Sequence, residues 1–124
     1  MNSFDIDGVI YINKDIIGVY PGPKDVIVTG RSFEEREATL KMLNDRGIYN
    51  KVFFNPEMYD NKSRTSSGAH KARVLNRLKD QGYDIVVHFE DDPIQIEQII
   101  NLAPWVKIIH LDHGLTNKEN VRAE

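Results

Sequence analysis

Short apolar runs rich in Val, Ile and Phe alternate along this chain with longer stretches in which apolar residues recur at helical spacing. Strands are predicted at Asn2 to Ile6, Asp25 to Val28, Lys51 to Phe54, Asp84 to Phe89 and Val106 to Leu111, each short and apolar as doubly buried strands are. Three helices fall between them. Ser32, with Glu35 three residues on, forms a capping box ahead of a helix that runs to about Arg46, where Gly47 stops it. Gly68 opens a second, with Ala72, Leu75 and Leu78 on its core face and Gly82 at its end. Asp92 caps a third, Pro93 takes its first position, and Ile96, Ile99, Ile100 and Ala103 are expected to be buried before Pro104 closes it. Residues 8–20 read as a short hairpin or flap leading to a Pro-Gly-Pro turn, Asn55 to Ser67 as a polar loop, and 117–124 as a charged tail. The alternation predicts one α/β domain over residues 1–124, with a mostly parallel sheet of about five strands and helices on both faces.

Composition narrows the function classes. The 124 residues suffice for a core without metal or disulfide, and the absence of cysteine excludes thiol catalysis and cysteine-ligated zinc. No apolar run reaches the roughly 20 residues of a membrane span, and Asp5 and Asp7 interrupt the one early apolar segment, so no membrane contact and a cytoplasmic location are expected. A formal net charge of -3 argues against a surface basic all over.

The chemistry is concentrated where predicted strands end, which is where open α/β sheets bind ligands. The first strand runs into Asp5 and Asp7, the second into Thr29, Gly30 and Arg31, and the fourth into Glu90, Asp91 and Asp92, while Lys71 lies in the second helix. On a strand, side chains two apart share a side, so Asp5 and Asp7 can face one pocket while Ile6 is buried and Gly8 turns the chain away. Two such carboxylates repel each other at neutral pH, which points to a metal or to a proton-transfer role. His110, Asp112 and His113 read as loop or substrate contacts rather than as a metal site, and Trp105 as a packing residue.

FDIDGV resembles the DxDx(T/V) signature of the haloacid dehalogenase superfamily of aspartate-nucleophile phosphatases. VIVTGR, HKARVL and VVHFEDDP are similar to the second, third and fourth motifs of that family, in its order, from Phe4 to Pro93. The resemblance implies a three-layer, Rossmann-like fold and a Mg²⁺-dependent hydrolase. Asp5 is implied as the nucleophile, Asp7 as acid and then base, Thr29 as a phosphoryl hydrogen-bond donor and Lys71 as the compensating cation. Gly8, Gly30 and Arg31 are implied as substrate contacts. The metal would be held by Asp5, Asp7 and the acidic pair, Asp91 with support from Asp92, although Glu90 leaves the register open.

Neither the flap nor the loop from Asn55 to Ser67 is long enough for a cap domain. Capless members of the family act as open clefts on macromolecular phosphoesters or borrow a neighbouring subunit as a lid. Lys62, Arg64, His70, Arg73, Arg77 and Lys79 give the region around Lys71 a basic bias, readable as a solvated face or as a nucleic-acid groove. Together with the TGR motif this is loosely similar to the phosphatase half of phage-type polynucleotide kinases, which implies nucleic-acid 3′-phosphate ends or nucleotides as substrates. The alternative is a regulatory, receiver-like or otherwise non-catalytic phosphate-binding module. A receiver domain would need its acceptor aspartate after the third strand, where this chain has Asn55.

Overall fold

The chain order of the elements, in a computed structural model that describes residues 1–116, is β1 (Asn2–Phe4), β2 (Tyr11–Asn13), β3 (Ile16–Ile17), β4 (Val26–Ser32), α1 (Arg36–Asp45), β5 (Val52–Asn55), α2 (Arg64–Asp80), β6 (Val87–Glu90), α3 (Pro93–Leu102) and β7 (Lys107–His110). Five strands form one parallel sheet in the order β5-β4-β1-β6-β7, and β2 and β3 form a separate antiparallel hairpin. The predicted tail at 117–124 lies outside the described residues. Within those residues no helix is long and apolar enough to cross a membrane.

Strand alternation divides the core. Val26 and Val28 pack with Ala72, Leu75 and Leu78 of α2 and Ile99 of α3, whereas Ile27 between them joins Phe4, Ile6, Leu43 and Ile48 in a second cluster. β1 leaves the sheet earlier than predicted. The Ile6 carbonyl accepts the N–H groups of Val9 and Tyr11, a tight turn that Gly8 permits with φ at +90°.

Three further expectations are corrected. The second helix starts a turn before Gly68, because Ser63 caps it by accepting the Ser66 N–H at 3.1 Å. Gly68 instead lies inside α2, where a Cβ would come 2.8 Å from Gln95 Cα, so its smallness lets α2 and α3 approach closely. In α3 the buried line is Asp92, Gln95, Ile99 and Ala103, which leaves Ile100 at 52% exposure. β7 is an edge strand with Lys107, Ile109 and His110 exposed, rather than a doubly buried one.

His70 is buried on α2 with no hydrogen-bond partner for Nε2 among the described residues. Burial, reinforced by the cations Lys71, Arg73, Arg77 and Lys62, pushes its pKa down from 6.5 to about 4. Between those values the unfolded chain binds a proton that the folded chain refuses. The stability due to neutral His70 is therefore complete above pH 6.5 and is lost as pH falls towards 4, by about 2 kcal/mol between pH 7 and pH 5. Urea unfolding at the two pH values should show His70→Gln losing less stability than the parent by that amount; equal losses would contradict this assignment.

Candidate active site

The strand order reverses direction between β1 and β6, since the chain builds outward through β4 and β5 on one side and through β6 and β7 on the other. Such a switch point opens a crevice at the carboxyl ends of the two strands. Asp5 follows β1 at this point, Glu90 ends β6, and Asp91 follows it.

Asp5, 3% exposed, is anchored by its N–H, which donates to the Phe89 carbonyl at 3.1 Å, and its Oδ1 accepts the Ile6 N–H at 2.8 Å. Lys71 reaches in from α2. Its Nζ is 3.1 Å from Asp5 Oδ1 and 2.7 Å from Glu90 Oε1, with all three side chains buried. Burial alone would lower the Lys71 pKa, but the charges of Asp5 and then Glu90 outweigh it and hold the ammonium above its ordinary range. Burial likewise disfavours a charged Glu90, and Lys71 and then His88 reverse this, keeping its carboxyl well below the usual range.

Asp5, Glu90 and Asp91 each place one carboxylate oxygen within 4.8 Å of the others. Three carboxylates less the Lys71 ammonium leave a local charge of -2, and the donors are all oxygen, which fits a hard divalent cation such as Mg²⁺. Gly8 makes room for this group, because a Cβ there would overlap the Asp91 carboxylate.

The other sequence-predicted residues are placed differently. Asp7 is gripped by Arg31 through Nε to Oδ2 at 2.9 Å and Nη2 to Oδ1 at 2.8 Å, and Arg31 Nη1 also donates to Thr39 Oγ1 at 3.1 Å. Thr29 is fully buried, and its Oγ1 accepts the Arg31 N–H at 3.0 Å. The Gly30 carbonyl accepts from Lys62 Nζ at 3.0 Å. Asp92 caps α3 by accepting the Ile94 N–H and forms a two-pronged pair with Arg64 at 2.6 and 2.8 Å, so its carboxylate is turned towards α2, and Glu90 stands in the trio instead.

The six basic residues near Lys71 do not share one solvated face. Lys62 is fully buried against Glu35, Arg64 is committed to Asp92, and His70 is buried, leaving Arg73, Arg77 and Lys79 exposed. Trp105 donates its ring N–H to Asn76 Oδ1 at 2.7 Å and packs against the core, as a packing residue should.

Sequence reasoning missed His88, joined to Glu90 at 3.2 Å, and Ser3 behind it. Glu90, left open among the three acids, is tied to Lys71 at 2.7 Å. His110 and His113, expected as loop or substrate contacts, lie against backbone of the site: His110 Nε2 meets the Asp91 carbonyl at 3.1 Å and His113 Nε2 meets the Gly8 carbonyl at 2.8 Å. A signal for His88 existed in the period-2 pairing of Ser3 with Asp5 and of His88 with Glu90 on two apolar strands. Comparison of the chain with models of known families, with curated proteins and with solved structures returns no match.

Proposed function

We propose that the chain is a Mg²⁺-dependent phosphomonoester hydrolase of the haloacid dehalogenase-like type, capless and three-layered, working through an aspartyl-phosphate on Asp5. The observation that carries this reading is the buried Lys71 ammonium bridging Asp5 and Glu90 beside Asp91 at the switch point. A carboxylate set beside a fixed cation in a desolvated crevice can serve as a nucleophile towards phosphorus.

Asp5 attacks the phosphoryl group as the bond to the leaving oxygen breaks. Asp7 supplies that oxygen with a proton and later takes one from the water that attacks phosphorus as the bond to Asp5 breaks, which frees phosphate and restores the Asp5 carboxylate. Arg31 favours Asp7 as the carboxylate, the form needed in the second step. The first needs a protonated Asp7 and therefore requires Arg31, which now holds both carboxylate oxygens, to give up that contact when a phosphoryl group is bound. Lys71 offsets charge on Asp5 and on the transferred group, and Thr29 lies in β4 beside Gly30 and Arg31, its Oγ1 steadying the Arg31 N–H. Asp5, Glu90 and Asp91 would hold Mg²⁺, which when bound neutralises charge on the phosphoryl oxygens.

The Arg31 grip on Asp7 favours one competing reading, a module that captures phosphate without turnover. Phosphate release from a generic aryl phosphate by the purified protein separates the two: release with Mg²⁺ that stops in EDTA is expected, whereas phosphate binding without release under both conditions would favour the module. A parallel assay with a 3′-phosphorylated oligonucleotide addresses the substrate class. Because three of the six basic residues are buried or paired, preference for the oligonucleotide should depend on Arg73, Arg77 and Lys79.

A further inference from the structure

Ser3 and His88 are register partners across the parallel pair β1–β6, and both are fully buried. Ser3 Oγ is 2.7 Å from His88 Nδ1, and His88 Nε2 is 3.2 Å from Glu90 Oε1. Lys71 Nζ donates to the same Glu90 oxygen, and His88 Nε2 is placed to be its second donor. Nδ1 is then left to accept the Ser3 hydroxyl hydrogen. A single tautomer thus satisfies the whole chain from Ser3 through His88 and Glu90 to Lys71 and Asp5.

A parallel strand at this depth is ordinarily filled with Val, Ile or Leu, and a buried imidazole costs stability unless its polar atoms are paired. Here the pairing is spent on Glu90. Its Oε1 receives Lys71 Nζ and His88 Nε2, while Oε2 lies 3.3 and 3.4 Å from the backbone nitrogens of Asp91 and Asp92. Four donors therefore fix which oxygen turns to Lys71 and which to the Asp91 loop.

We propose that His88, backed by Ser3, is a positioning residue that orients the Glu90 carboxylate and so sets the affinity of the Asp5, Glu90 and Asp91 group for a divalent cation. This inference rests on the reading of those three residues as a cation site. Hydrogen bonds behind a ligating carboxylate are typically worth about 10- to 100-fold in metal affinity.

Mn²⁺ binding, followed by the electron paramagnetic resonance signal of the free ion, tests the inference without any turnover. His88→Leu should weaken binding by about 10- to 100-fold, and His88→Gln, which keeps an N–H donor, should restore most of it. A purely structural role predicts the opposite order, with leucine suiting the apolar strand and glutamine disturbing it. Parental affinity in a folded His88→Leu protein would overturn the inference. Should His88→Leu fail to fold, Ser3→Ala decides: losing the hydroxyl releases the ring to carry its hydrogen on Nδ1, so binding weakens, and unchanged binding overturns the inference. Failure of the parent protein to bind Mn²⁺ would sink the cation site itself, an outcome distinct from equal binding by parent and variant.

Discussion

Replacing Asp5 with asparagine is expected to lower phosphate release by on the order of 10⁴-fold or more, because removal of a covalent nucleophile eliminates the pathway rather than weakening it. The effect should fall on kcat. Asparagine matches aspartate in shape and keeps an oxygen able to accept the Ile6 N–H, while Glu90 remains to pair with Lys71 at 2.7 Å. The variant should therefore fold. An Asp5→Asn protein that retained a tenth of the parental rate would remove Asp5 from the nucleophile's role, whatever its place in the sheet.

Lys71→Met carries the second large effect, and it falls on stability as well as on activity. Methionine keeps the stem and deletes the ammonium, leaving Asp5 and Glu90 buried without the cation that bridges them. Removing one partner of a buried pair costs about 3–5 kcal/mol. In the parent, the depressed Glu90 pKa contributes stability that is present above the ordinary value of 4.5 and is lost as pH falls through the lower folded value. In the variant burial acts unopposed by the ammonium and raises the Glu90 pKa, so protonation then favours the folded state. The gap between the two proteins should accordingly narrow from pH 7 to pH 5, and loss of the Lys71 charge that helps to depress His70 acts in the same direction. Adding Glu90→Gln to Lys71→Met should recover part of the loss by removing a stranded charge. Urea midpoints that are equal for parent and Lys71→Met at pH 7 would contradict the buried-pair account.

How far the sequence reached can be stated residue by residue. Short apolar runs rich in Val, Ile and Phe located all five strands of the main sheet, and the Asp92-Pro93 start of α3 was legible because capping is a local matter. Strand ends rich in acids directed attention to Asp5, Asp91 and Lys71. What stayed hidden depends on long-range geometry. Nothing local shows that Gly68 is a contact point between two helices, that Ile100 falls off the buried line of α3, or that β7 sits at an edge. The choice among Glu90, Asp91 and Asp92 is of the same kind. Arg64 lies 28 residues from Asp92 and Lys71 lies 19 residues from Glu90, and these partners decide which way each acid turns. The basic bias of residues 62–79 likewise misled, since composition cannot show that the Lys62 ammonium is buried against Glu35 and the Gly30 carbonyl.

The most direct test of the central claim is to trap the intermediate. Asp7→Asn should still allow attack by Asp5 on an aryl phosphate, whose leaving group needs no proton, but should slow the water step for want of a base. Brief reaction with Mg²⁺ and a ³²P-labelled aryl phosphate, acid quench and trypsin digestion are predicted to leave label on the peptide Met1 to Lys14, stable to acid, released by hydroxylamine and missing from the Asp5→Asn protein. Phosphate release by the parent with no labelled peptide in the Asp7 variant, or with the label on another peptide, would contradict an aspartyl-phosphate on Asp5.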